Sequence, residues 1–147
     1  MQKRNFLAAG VAIIAATVGL VGFGRSGQAQ NVSLEVLSGQ DLVQRDDLLL
    51  VDIRRPEEWQ ETGVVEGALL VTYSGAQSFL DAVMPSLKDG QKIALICRSG
   101  NRTSRAAQQI GQIVETAVID VQGGMLRVVG EGYQPVKASR EMGCTVC

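Results

Sequence analysis

The chain contains no histidine. That single absence excludes Ser-His-Asp and Cys-His hydrolases and His-ligated zinc or haem sites. Cysteine is scarce as well, with three in 147 residues, at Cys97, Cys144 and Cys147. They are the only strong nucleophiles left. An odd count leaves at least one of them unpaired within a monomer or bonded to another molecule. Cys144 and Cys147 would supply two ligands where a structural zinc wants four, so no metal and no other cofactor is expected. A basic surplus is missing too, with 14 Lys and Arg against 15 Asp and Glu. This argues against a nucleic-acid partner, which needs a basic stripe. Internal repeats and long low-complexity segments are absent.

What the sequence does have begins with a leader-like segment. Lys3 and Arg4 are followed by an uncharged run from Phe6 to Gly24 and by a small, polar exit from Arg25 to Gln30. This order is that of a secretory signal, with Gly27 and Ala29 small enough for a cut after Ala29. Residues 1–29 are therefore expected to be a signal peptide or, since residues 6–24 approach bilayer-spanning length, an N-terminal membrane anchor. The domain would be exported to the periplasm, or held on the inner membrane facing it. Loss of Lys3, Arg4 and Arg25 takes the basic count from 14 to 11 against 15 acidic residues, about −4, which disfavours docking on anionic lipid.

Beyond the leader, apolar runs alternate with amphipathic stretches. Gln30–Val32 reads as a linker, and strands are predicted at 34–37, 48–53, 68–73, 92–97 and 117–121. Helices are predicted at 39–45 with Ser38 as N-cap, from Pro56 to the stop at Gly63, and at 74–87, 103–114 and 125–130. LLLVDI and KIALIC are almost wholly apolar, as buried parallel strands are. The pattern predicts an α/β domain over residues 30–137, with a central, mostly parallel sheet and helices on both faces. Residues 138–147 read as a tail carrying Cys144-Thr145-Val146-Cys147.

Cys97 closes the most apolar strand, where ligands of such sheets gather. After it come Arg98, Ser99, Gly100, Asn101 and Arg102, and then a helix. A thiol works as a nucleophile only when ionised, and a helix N-terminus with nearby cations favours the thiolate. Arg98, Arg102 and Arg105 supply the charge. Gly100 lets successive N–H groups turn inward as a nest for an anion. A buried structural cysteine is the plain alternative, disfavoured by three arginines and a glycine so close by.

CRSGNRTSRAA resembles the active-site loop and following helix of rhodaneses. Upstream, VDIRRPEEWQETGVVEGALLV is similar to that family's Asp-x-Arg strand end and Glu-Trp segment, and downstream VQGGMLRVVGEGYQPV is similar to its double-glycine segment. The resemblance spans roughly residues 33–137. Two places depart from it. Gly63-Val64-Val65-Glu66-Gly67-Ala68 stands where relatives have Gly-His-Ile-Pro-Gly-Ala, and Val128 stands where they carry tryptophan.

The resemblance implies that Cys97 takes a sulfane sulfur from a donor such as thiosulfate and passes it, as a persulfide, to cyanide or to a protein or small thiol. Backbone N–H groups of residues 98–102 would cradle the sulfur, and Arg98 would favour anionic donors. Arg102 would close the loop on a carboxylate, with Asp52 the best candidate; otherwise Asp52 caps the helix at 56–62. Arg54 would add positive field or be solvated, and Trp59 would anchor the core. Four residues separate Cys97 from Arg102, whereas phosphatases of this fold have five, giving a wider cradle that fits a phosphoryl group. The tail pair could be a plain disulfide, a mobile dithiol that relays sulfur from Cys97, or a site of intermolecular pairing. A non-catalytic carrier, binding or redox-sensing module is the alternative to the enzyme. An arsenate-reductase or phosphatase chemistry ranks third.

Overall fold

The computed structural model describes residue 27 and residues 29–147. The expected signal or anchor falls almost wholly outside them. In chain order the elements are β1 (Val32–Glu35), α1 (Gly39–Gln44), β2 (Leu48–Asp52), α2 (Pro56–Thr62), β3 (Leu69–Leu70), α3 (Ala76–Val83), a short 3-10 turn at Met84–Ser86, β4 (Lys92–Ile96), α4 (Asn101–Gly111), β5 (Val118–Val121) and α5 (Gly124–Gly130). No helix among the described residues is long and apolar enough to cross a membrane.

The five strands form one parallel sheet in the order β1-β5-β4-β2-β3. Successive side chains of a strand point to opposite faces, so a run such as LLLVD supplies both cores. Leu48 and Leu50 pack with Ala94, Ile96, Ile119 and Val121 beneath Leu42 of α1, Trp59 of α2, and Met125 and Val128 of α5. Val51, Ile93, Leu95 and Val118 pack on the other face beneath Phe79, Leu80 and Val83 of α3 and Ala106, Ala107 and Ile110 of α4. Each such side chain contributes roughly 1.5–3 kcal/mol by leaving water. Helices thus cover both faces, and the strand C-termini of β2 and β4, side by side at Asp52 and Ile96, are left to carry the loops.

Local chemistry sets the element ends. Ser38 and Asp41 form a reciprocal capping box at α1. Pro56 opens α2, with Glu58 reaching back to the Arg55 N–H, and Gly63 closes it at φ +72.

Several expectations need correction. β3 is two residues long rather than six, because β2 leaves the ladder at Asp52 and only the Val71 and Tyr73 N–H groups follow it further. The helix predicted at 103–114 ends at Gly111, and Ile113 beyond it is exposed. Asn31 is no linker residue: its side-chain amide donates to the Val114 and Thr116 carbonyls at 2.7 and 2.9 Å.

Residues 138–147 are docked and not a free tail. Val136 bridges Val64 through two backbone hydrogen bonds, the Leu70 N–H donates to the Met142 carbonyl at 2.7 Å, and Cys144 is fully buried among the α1, α2 and α5 side chains. Trp59 is in the core as expected. So is Val128, at the position where the resemblance led to tryptophan. Beside it, Tyr133 fills the space over Gly39, and its hydroxyl accepts the Glu66 N–H at 2.9 Å.

Candidate active site

Cys97 follows directly on β4 and is 1% exposed. Gly100 takes φ +96, a conformation glycine adopts without cost, and serves as the N-cap of α4. The turn aims the Gly100 N–H at Cys97 Sγ, 3.1 Å away. The Thr103 hydroxyl lies 3.7 Å from the same sulfur and is oriented by donating to the Gly100 carbonyl at 2.8 Å. Of the N–H groups expected to ring the sulfur, Gly100's is the one that reaches it. Arg98, Ser99 and Asn101 are exposed. Thr103 was not anticipated from the sequence. Its signal was its spacing, three residues past the N-cap, where a hydroxyl can reach back over the turn.

The double glycine forms the back wall of the loop. The Met125 N–H donates to the Cys97 carbonyl at 2.8 Å and the Leu126 N–H to the Arg98 carbonyl at 3.0 Å. Two of the free N–H groups of the first turn of α5 are thereby satisfied by the loop itself. Gly124, at φ +56, sits so close that a Cβ would strike the Cys97 carbonyl oxygen and come within 2.8 Å of the Arg98 carbonyl.

The arginines pair differently from expectation. Arg102 does not pair with Asp52. Its Nη1 and Nη2 donate to Glu58 Oε2 and Oε1 at 2.7 and 2.5 Å. That carboxylate, acting chiefly through its hydrogen bonds, holds the Arg102 guanidinium firmly charged. The same bonds, with the Arg55 N–H, hold the Glu58 carboxyl below its usual range.

Asp52 belongs instead to Arg54. Arg54 Nε lies 3.0 Å from both Asp52 oxygens, and Nη2 is 2.8 Å from Oδ2. The remaining Arg54 N–H bonds go to the Thr62 hydroxyl and to the Glu58 and Gly63 carbonyls. All five guanidinium donors are used, and both residues are buried. Arg54 is therefore neither solvated nor a free cation of the site, and Asp52 caps no helix; the pair fastens β2 to α2. Glu58 was missed as a site residue, although its place in the Glu-Trp segment one turn into α2 was visible.

Two clefts flank the loop. An open one of about 490 Å³ lies between Arg98 and Arg102 and, at the start of α2, Arg55, Glu57 and Glu58. A smaller one of about 160 Å³ lies between Arg98, α2 and the apolar side chains of α5.

Cys144 and Cys147 are joined as a disulfide, and Cys97 is the free cysteine. The pair is not a mobile dithiol. Cys144 is packed on the α1, α2 and α5 face of the sheet, while Cys97 packs with the α3 and α4 face.

The chain matches the sequence model of the Rhodanese-like domain over residues 37–131. It is 30% identical over 107 residues to an uncharacterized protein of Synechocystis, covering 73% of this chain and 57% of that one. It is also 30% identical over 93 residues to the tRNA uridine(34) hydroxylase of Acinetobacter baylyi, covering 62% of this chain and 29% of that one. The chain thus spans little more than half the length of the first curated relative and under a third of the second. Among solved structures, a rhodanese-related protein from Thermoplasma volcanium matches with TM-score 0.52 and 26% identity, over 67% of this chain and 94% of that one. A Rhodopseudomonas palustris protein of unknown function, described as a possible tyrosine phosphatase, matches with TM-score 0.58 and 24% identity, over 71% and 85% of the two chains. At that identity the second likeness concerns the fold alone.

Proposed function

This chain belongs to the rhodanese-like domain family, and from that premise we propose that it is a sulfurtransferase in which Cys97 carries sulfane sulfur as a persulfide. The observation that carries the reading is the hydrogen bond of the Gly100 N–H to Cys97 Sγ, within a loop closed by the Arg102–Glu58 pair. A backbone N–H aimed at sulfur at a helix start stabilises negative charge there, on a thiolate or on the outer sulfur of a persulfide.

In the loading step the Cys97 thiolate attacks the sulfane sulfur of thiosulfate. A Cys–S–S bond forms, the bond to the sulfonate sulfur breaks, and sulfite leaves with the electron pair. In the discharge step cyanide or a thiolate attacks the outer persulfide sulfur, and the Cys97 thiolate is released. Neither step needs histidine, a metal or another cofactor, since sulfite and the thiolate are good leaving groups.

Phosphoryl transfer fits less well. Arg102, the cation that would face a phosphoryl oxygen, is held at two points by Glu58, and the loop is one residue shorter than a phosphatase loop. Nor do we carry over the action on tRNA named for the Acinetobacter relative, because the domain lacks a basic surplus.

A second reading has its own support. Cys97 is 1% exposed, which suits a persulfide carrier or binding module that exchanges sulfur slowly. The proposed setting is the periplasm, with residues 1–29 cleaved or retained as an anchor.

Intact-protein mass spectrometry after thiosulfate, and again after cyanide, tests the proposal. One added sulfur on Cys97, lost within seconds as thiocyanate, supports the enzyme. One added sulfur that persists supports the carrier. Thiocyanate production by Cys97→Ser would refute both.

A further inference from the structure

The smaller cleft is built as a subsite. Its floor is apolar, from Met125, Leu126 and Val129 of α5, and its other walls come from Arg54, Glu58, Glu61, Thr62 and Arg98. Leu126 and Val129 are 59% and 41% exposed, two aliphatic side chains left in water on the helix whose first turn is hydrogen-bonded to the Cys97 loop. The volume, about 160 Å³, falls below the roughly 300–1,000 Å³ of pockets for drug-sized ligands. Only a small occupant fits.

The charges around it are unequal in availability. Arg54 is committed to Asp52 and Arg102 to Glu58, whereas Arg98 and Glu61 form no salt bridge among the described residues. The cleft therefore offers one cation, on the residue next to the nucleophile, and one anion on the α2 wall. A ligand that complements it has an alkyl body and a single negative group for Arg98. A second carboxylate would meet Glu61.

We propose that this cleft is the acceptor subsite and that it selects a small alkyl thiol bearing one carboxylate over a larger thiol bearing two. The proposal rests on the sulfurtransferase reading and adds the acceptor class to it. Cys97 itself does not line the cleft; the acceptor is to meet the outer persulfide sulfur, about 2 Å further out along the S–S bond. The acceptor thiolate attacks that sulfur, a new S–S bond forms, the bond to Cys97 breaks, and the Cys97 thiolate leaves with the pair.

The test measures single-turnover discharge of persulfide-loaded protein by 6-mercaptohexanoate and by glutathione. The alkyl thiol is expected to react at least about tenfold faster, the worth of roughly two methylenes leaving water. In Leu126→Asp/Val129→Asp the ratio should fall to near one, and Glu61→Gln should raise the glutathione rate. Equal rates with the two thiols, or a ratio unmoved by the double substitution, would overturn the subsite. If Cys97 never loads, the sulfurtransferase reading fails separately. The cleft is then tested in Cys97→Ser with hexanoate by amide NMR. Shifts confined to Met125–Val129 and lost in the Leu126/Val129 variant uphold an alkyl carboxylate site; their absence removes it.

Discussion

Arg102 and Glu58 meet as a two-point ion pair, at 2.7 and 2.5 Å, that ties the first turn of α4 to the first turn of α2. The same Glu58 carboxylate accepts the Arg55 N–H at 3.1 Å, so one side chain caps a helix and closes the sulfur loop.

That pair has a pH signature. Hydrogen bonding by Arg102, then the Arg55 N–H, keeps the folded Glu58 carboxyl below its ordinary value of 4.5. A depressed carboxyl stabilises the fold fully above its unfolded value and ceases to do so as pH falls through the folded one. Glu58→Gln should therefore flatten the acid limb of stability between about pH 6 and about pH 3. At neutral pH it should cost about 1 kcal/mol, the scale for a half-exposed pair. Urea midpoints across that range provide the check. An acid limb identical to wild type would contradict the assignment.

The buried pair behaves otherwise. Asp52→Asn strands Arg54 away from water, and such losses run to about 3–5 kcal/mol. Double-mutant cycles followed by the fluorescence of Trp59, the sole tryptophan, should show stronger coupling of Arg102 to Glu58 than to Asp52. The reverse order would restore Asp52 as the partner of Arg102.

These pairings mark the limit of what was legible. Sheet class, helix order and the place of Cys97 could be read because buried parallel strands write themselves as continuous apolar runs and Gly63 and Gly100 punctuate them. Which carboxylate Arg102 would choose could not. Asp52 and Glu58 are both acidic and close in sequence, and the choice turns on Arg54 folding back onto Asp52 in two residues. The docking of residues 138–147 was hidden as well. Its anchors are backbone bonds, such as Leu70 N–H to the Met142 carbonyl, and these leave no hydrophobic period.

Gly124 has a predicted cost out of proportion to one methyl group. In Gly124→Ala the new Cβ meets the Cys97 and Arg98 carbonyls at a backbone angle, φ +56, that L-residues rarely adopt. The first turn of α5 must then retreat and release both loop carbonyls. Persulfide loading should fall by more than about tenfold, with a stability loss of about 1–3 kcal/mol. Gly130→Ala, where a Cβ meets nothing within 4 Å, is the control. Similar behaviour of the two variants would show that the close approach is unimportant.

Arg98 is expected to steer anions. It is exposed beside Cys97 in a domain without a basic surplus. Loading by thiosulfate should slow with added salt, since exposed charges more than about 8–10 Å apart are screened near physiological ionic strength. Arg98→Ala should weaken thiosulfate more than a neutral persulfide donor. Equal losses for the two donors, with no salt dependence in wild type, would remove the steering role.

The disulfide is predicted to be a staple that resists exchange while the domain is folded. Cys147 is the exposed half and Cys144 the buried half. A thiolate attacking the accessible Cys147 sulfur must expel the Cys144 thiolate into an apolar core, where a charged leaving group is disfavoured. Attack at Cys144 would have the better leaving group, but that residue is 0% exposed. Dithiothreitol should therefore reduce the bond slowly in native buffer and quickly in urea, as read by alkylation and mass spectrometry. The ring is small, with a sequence separation of 3, so Cys144→Ala/Cys147→Ala should cost about 2 kcal/mol by loop entropy. Because Cys97 packs on the opposite face of the sheet, sulfur release from its persulfide should proceed at the wild-type rate in that variant. Rapid native reduction, together with slower release from Cys97 once the pair is removed, would return Cys144 and Cys147 to a redox role.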